Sequence, residues 1–182
     1  VVEANLPVVH RILRDLGWDA LGFQSGVDVT SCPGTDTCNL AISNSTHLST
    51  VLEHTLEEEF PHLMFDRSFN IKISGCMNAC GQHSIASFGL HGSSMRREGA
   101  TMPAMQILVG GGRRANGEWS FGKKILKLPT KHVPAALRTV LIDFEQHQLP
   151  HETFADYFLR VGDRYHYSLL QQHVEGTSED LY

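Results

Sequence analysis

The chain has 182 residues, 41% hydrophobic and 19% charged, with 15 basic against 20 acidic side chains and a formal charge of −5. A chain of this length can bury roughly 70% of its unfolded surface, enough for one good-sized domain without covalent staples. The acidic balance speaks against a general nucleic-acid binder, which needs a clustered basic face, and no run of about 18 apolar residues is present to span a membrane.

The sequence opens on VVEANLPVVHRILRDLGW, without an initiator Met and as an element already under way, so a fragment of a longer polypeptide is expected. Val8, Val9, Ile12, Leu13 and Leu16 recur at helical spacing over 6–18, with Gly17 as the stop. A first cysteine loop, TSCPGTDTCNL at 30–40, follows. Leu48, Val51, Leu52, Leu56 and Phe60 then share one face of a helix over 44–60, which ends in acidic Glu57 to Glu59 and is closed by Pro61. FNIKIS at 69–74 alternates as a strand and runs straight into a second cysteine loop, ISGCMNACGQH. Further strands are predicted over 84–92, 105–112 and 121–129, with 92–102 as a polar hairpin or excursion between two of them. Pro134 opens a helix bearing Val133, Leu137, Val140, Leu141 and Phe144. A last helix spans 151–162, with Gly162 as its C-terminal cap and a polar tail beyond. Helices and strands alternate, so the expected fold class is α/β (α+β), a mixed sheet flanked by helices. No basic segment followed by an apolar one marks a signal peptide. The expected setting is cytoplasmic and reducing, where disulfides do not persist.

All four cysteines lie in the two short loops. Pro33, Gly34, Thr35 and Asp36 favour a tight turn that aims Cys32 and Cys38 into one volume. Cys76 and Cys80 are four apart and share a face if a helix starts after the strand. Gly75 and Gly81 bracket them and permit close backbone approach. Four converging thiolates need a metal. The gaps of five and three intervening residues suit an iron–sulfur cube, which is wider than one ion, better than the usual zinc pairings. A structural four-cysteine zinc site and buried free thiols remain as alternatives at this point.

TSCPGTDTCNLAIS followed by ISGCMNACGQHSIASFGLHG resembles the paired signature of the sirohaem-dependent nitrite and sulfite reductases. MQILVGGG resembles the strand before that family's glycine turn, and ETFADYFLRVGDR its C-terminal helix. The resemblance implies that Cys32, Cys38, Cys76 and Cys80 bind a 4Fe–4S cluster, and that the Cys80 sulfur also bridges to the iron of sirohaem. It implies the cluster-binding C-terminal domain of an assimilatory-type reductase, taking nitrite to ammonia or sulfite to sulfide in six-electron steps. A non-catalytic iron–sulfur carrier or a zinc module is the alternative. Asn78, Gly81 and Gln82 match the family pattern, whereas Met77 stands where Pro is common. Asn78 is expected to donate to a cluster sulfide or to cap the following turn. Residues 1–22 would be the remnant of a preceding ferredoxin-like half, 23–165 the cluster domain and 166–182 the tail.

Sirohaem carries eight carboxylates and its substrates are small inorganic anions, so the family cage is rich in Arg and Lys. Here the basic pairs are Arg96–Arg97, Arg113–Arg114 and Lys123–Lys124. Arg113 and Arg114 follow the glycines and are candidates for a cofactor carboxylate, against a default role as solvated turn charges. Most of the cage is expected on a preceding part of the reductase, so this polypeptide alone is expected to be inactive. The electron donor would be ferredoxin or a flavoprotein. His83, beside the second loop, is a candidate to bond a ligand sulfur or relay a proton. His47, His54, His147 and His151 read as solvated or capping groups. Glycines 110–112 read as a turn that lets backbone approach a cofactor, since no phosphate-loop pattern follows. Met102 and Met105 read as packing.

Overall fold

The protein is described here by a computed structural model that covers residues 1–19, 22–23, 25–97 and 99–175. Its elements run α1 (Leu6–Asp15), β1 (Thr30–Ser31), α2 (Ser45–Glu59), β2 (Ile71–Ser74), β3 (Phe88–Arg97), β4 (Ala100–Val109), β5 (Gly112–Arg113), β6 (Trp119–Ser120), β7 (Lys123–Pro129), α3 (Val133–His147), α4 (Phe154–Val161) and α5 (Asp163–Leu170). Five strands form one mixed sheet in the order β1-β2-β3-β4-β7, and β5 and β6 pair separately. The pairs β1–β2 and β2–β3 are parallel; β3–β4 and β4–β7 are antiparallel.

Strand alternation builds the core. Ile71 and Ile73 on β2, Phe88 and Leu90 on β3, and Ile107 and Val109 on β4 are fully buried. They join one apolar cluster with Leu48, Leu52 and Leu56 of α2, Leu137, Val140, Leu141 and Phe144 of α3, and Phe154, Tyr157 and Phe158 of α4. Each such side chain contributes about 1.5–3 kcal/mol when fully buried. The opposite sheet face carries Lys72, Ser74 and His91, in register across β2 and β3. Helix α2 begins where Asn44 Oδ1 accepts the His47 N–H at 2.9 Å, and stops before Pro61. Helix α4 begins at Thr153, whose hydroxyl accepts the Asp156 N–H.

The mixed sheet flanked by helices matches the sequence expectation; several boundaries do not. The strand expected from 84 starts at Phe88, because His83–Ile85 form a 3-10 turn, and it runs on to Arg97. The segment 92–102 is therefore two long arms of one hairpin, with Gly99 near its tip at φ +84°. The segment from 166, expected as tail, is ordered as far as 175: His166 and Leu170 of α5 are fully buried. Gly162 ends α4 at φ +87° and starts α5 one residue later, so a residue that reads as a stop also allows a restart. The remainder of the tail, 176–182, lies outside the described residues. Helix α1 buries none of its side chains; Leu6, Val8, Ile12 and Leu16 are exposed.

Candidate functional site

Two adjacent parallel strands deliver the two cysteine loops to one edge of the sheet. Thr30 pairs with Lys72 and Ser31 with Ile73, and the Cys32 N–H continues the ladder onto the Ile73 carbonyl at 3.1 Å. Cys32 follows β1 directly, and Cys76 lies two residues beyond the end of β2. Parallel strands need a crossover of a dozen or more residues, usually a helix. Between β1 and β2 that crossover contains α2. Between β2 and β3 it is residues 75–87, which hold Cys76 and Cys80 and no α-helix.

The loops interlock at Gly75. Its N–H donates to Cys32 Sγ at 3.1 Å, and its carbonyl accepts the N–H groups of Ile42 at 2.8 Å and Ser43 at 3.2 Å. A Cβ on Gly75 would lie 2.8 Å from Gly34 Cα and 3.1 Å from the Ser43 carbonyl oxygen. Glycine is used here to let the two loop backbones touch. Within the first loop, Gly34–Asp36 form a 3-10 turn and the Cys38 N–H donates to the Gly34 carbonyl at 3.0 Å. The hydroxyl of Ser45, at the start of α2, donates to the Cys32 carbonyl at 2.7 Å and lies 3.6 Å from Cys32 Sγ.

All four cysteines are free thiols, at graded depth: Cys32 and Cys76 are buried, Cys38 is half-buried and Cys80 is exposed. Burial pushes the Cys32 thiol up, but the Gly75 N–H, the Ser45 hydroxyl and the Gly34 N–H outweigh it and hold the thiol below its ordinary value. The thiolate is the form that ligates metal. Among the described residues no three Cys, His, Asp or Glu side chains gather as they would around one ion. A cube needs more room between sulfurs than a zinc ion does. Four free thiols on two loops that touch at Gly75, the deepest already receiving N–H donors, supply the donor chemistry of such a group.

The second loop differs from its expectation. No helix follows β2; residues 75–82 are turns, and Ala79 and Gln82 have φ of +61° and +58°. Left-handed backbone at non-glycine residues stores about 1–3 kcal/mol each and gathers at functional loops. Gly81 serves internal packing: its N–H donates to Ser74 Oγ at 3.1 Å, and a Cβ there would fall 2.0 Å from the Ile73 carbonyl oxygen. Asn78 is exposed, and its side chain makes no hydrogen bond or ion pair among the described residues. His83 is buried and bonds not to a cysteine sulfur but to Ser74, Nδ1 to Oγ at 2.8 Å, with its ring 4.9 Å from that of His91. Burial, His91 and Lys124 push His83 down to about 4, so it is neutral at pH 7. Ser74 and His91 are not distinguishable in the sequence; only the strand register identifies them.

The basic candidates separate. Arg114 is tied to Asp156 at 2.9 Å and to Glu118 at 3.2 Å, which removes it from cofactor contact. Arg113 instead lines a cavity of about 410 Å³ that reaches Gln82 in the second loop. Arg96 is exposed on the hairpin, and Lys123 sits 3.8 Å from Asp163 at the surface. The glycine turn after β4 approaches protein: a Cβ on Gly110 would lie 2.1 Å from the Phe158 ring, and Gly110 has φ +85°. That corrects the expectation of backbone approaching a cofactor there. His54 pairs with Glu58 at 3.2 Å and His147 with Asp143 at 3.2 Å.

The sequence matches the family described as the nitrite and sulphite reductase 4Fe-4S domain over residues 25–175, a span that includes α5. It is 30% identical over 141 residues to an assimilatory ferredoxin-dependent nitrite reductase of Haloferax mediterranei, covering 77% of this chain and 23% of that one. It is 27% identical over 173 residues to a NADPH sulfite reductase hemoprotein beta-component of Nitrosomonas europaea, covering 89% of this chain and 27% of the relative. Among solved structures, the Mycobacterium tuberculosis NirA protein superposes with a TM-score of 0.67 at 22% identity, over 90% of this chain and 31% of that one. The chain thus spans about a quarter of the length of the curated relatives it matches.

Proposed function

The chain belongs to the nitrite and sulphite reductase 4Fe-4S domain family, and from that premise we propose that it is the cluster-binding segment of a longer sirohaem-dependent nitrite or sulfite reductase. In this reading Cys32, Cys38, Cys76 and Cys80 would hold one 4Fe–4S cluster, and Cys80, the exposed member, would also face the sirohaem. When bound, the two groups supply single electrons to a small inorganic anion. The chain's own residues hold and shape the centre. The Gly75 N–H donates to the Cys32 sulfur, and N–H donors to a ligating sulfur stabilise the more reduced, more negative cluster. Ser74 and Gly81 hold the strained turn that presents Cys80. Arg113 lines a cavity that reaches Gln82 of the second loop, and Asn78, two residues before Cys80, is exposed.

The observation that carries this reading is the junction at Gly75, where adjacent parallel strands release both cysteine loops into direct contact. No helix among the described residues is long and apolar enough to cross a membrane. The remaining substrate contacts and the docking of a ferredoxin or flavoprotein donor belong to the rest of the reductase, so the 182-residue chain alone does not turn over nitrite or sulfite. Anaerobic reconstitution followed by iron, sulfide and zinc analysis tests the assignment. About four irons and four sulfides per chain, with broad absorbance near 400 nm, are expected. Cys32→Ser and Cys76→Ser should each lower iron content sharply. One zinc and no sulfide, or full iron retention in both variants, would overturn it.

A further inference from the structure

We propose that the cavity beside the second cysteine loop is an oxyanion-binding site, which takes small inorganic anions such as nitrite, sulfite or phosphate. Its role as a collecting site for the anionic substrate rests on the reductase reading above; the binding itself requires no metal.

The cavity, about 410 Å³, is lined by three cations, Arg67, Lys72 and Arg113, against one carboxylate, Asp28. That local excess occurs in a chain whose formal charge is −5. A cleft of one sign raises the local concentration of the opposite ion, and the effect matters most where the rest of the molecule repels it.

Arg67, Arg113 and Trp119 are exposed, Lys72 is half-buried, and the local backbone fixes where Arg113 and Lys72 stand. Arg113 and Trp119 are directly paired across β5 and β6, so guanidinium and indole share one face of that hairpin. The neighbouring Arg114 is held by Asp156 at 2.9 Å, and the Ala115 N–H donates to the same carboxylate at 2.7 Å, which anchors the hairpin to α4. Arg113 keeps its fork free: neither it nor Arg67 makes an ion pair among the described residues. Lys72 is half-buried on the polar face of β2, with one donor spent on Thr30 Oγ1 at 3.2 Å. An ammonium has three donors, so two remain. Asn70 Oδ1 accepts the Ser87 N–H at 3.3 Å, which uses its acceptor and leaves its amide NH2 as a donor. The lining therefore offers ammonium, guanidinium, amide and indole donors, the complement of an oxyanion.

The test is titration of the metal-free 182-residue chain with potassium nitrite and, separately, potassium phosphate, at ionic strength held constant with chloride. Binding is read from Trp119 fluorescence in a Trp18→Phe background and from the amide shifts of Asn70, Lys72 and Arg113. Saturable binding is expected with both anions. Arg113→Ala and Arg67→Ala should each weaken it about tenfold, the magnitude of one lost charged hydrogen bond. Arg113→Lys should recover part of the loss, and Arg96→Ala on the distant hairpin should change nothing. The proposal fails if the folded chain, verified by its amide spectrum, shows no saturable shift, if chloride alone gives the same shift, or if both Ala variants bind as well as the parent. Since no cluster is present in this titration, anion binding without cluster reconstitution would refute the reductase reading alone. Reconstitution without anion binding would refute this site alone.

Discussion

Replacing Gly75 with Ala tests whether the two cysteine loops must touch. The added Cβ would stand 2.8 Å from Gly34 Cα, 3.0 Å from Ala41 Cβ and 3.1 Å from the Ser43 carbonyl oxygen. Two of those three neighbours are backbone, so relief requires the loops to separate rather than a side chain to rotate. Overpacking of this kind costs about 1–3 kcal/mol. Separation also stretches the N–H bonds that Gly75 accepts from Ile42 and Ser43, each with a net value of roughly 1 kcal/mol. The expected destabilisation is about 2–4 kcal/mol, read from the denaturant midpoint of the metal-free chain. Iron content after reconstitution should fall with it, because the Gly75 N–H to Cys32 Sγ bond is displaced. Adding Ala41→Gly removes only the side-chain contact, so it should restore the smaller part of the loss. A Gly75→Ala chain with parental stability and full cluster content would show that the loops have slack, and the junction argument would fall.

Four further outcomes follow from the geometry. Alkylation of the metal-free native chain should modify Cys80 first, Cys38 next, and Cys32 and Cys76 only on unfolding, in the order of their exposure; peptide mapping after a timed pulse reads this directly. His83 lies at about 4 in the folded chain against 6.5 for the free group. The unfolded chain thus binds the proton first, so this contribution to stability is complete above about pH 6.5 and is lost as pH falls towards 4, levelling off below. His83→Gln should flatten that part of a stability-against-pH curve, and an unchanged slope would reassign it. Tyr157→Phe should destabilise by about 1–3 kcal/mol, since it strips a buried donor from Asp143 and leaves the hydrogen bond from Tyr165, at 2.6 Å, and the contact with His147 to hold that carboxylate. Arg138→Ala, which breaks an exposed pair with Glu59, should leave the denaturant midpoint nearly unchanged, because solvent screens such a pair.

Much of the fold is legible in the sequence because its signals are local. The period of apolar residues locates α2 and α3, the alternation of Phe69, Ile71 and Ile73 locates β2, and the proline and glycine stops bound them. The failures have physical causes too. Four-residue spacing suggests a helix at Cys76 and Cys80, but the crossover from β2 to β3 must return along the sheet, and it does so through turns at Ala79 and Gln82. Helix α5 escapes a reading by pattern because only two of its eight residues, His166 and Leu170, are buried. Of the adjacent arginines, sequence makes one as available as the other. Arg113 ends the two-residue strand β5 and lines the cavity, whereas Arg114, one residue beyond the strand, bonds to Asp156.

From composition and order alone, this chain declared its class of element, its apolar faces and the two loops that hold every thiol, since each depends on residues within a few positions of one another. Only the tertiary structure decided that those loops meet, how deep each sulfur lies, and which cation is spent on a carboxylate. These depend on strand order and register, which join positions some forty residues apart, Thr30 to Lys72 and Gly75 to Cys32, and no local pattern encodes such a distance.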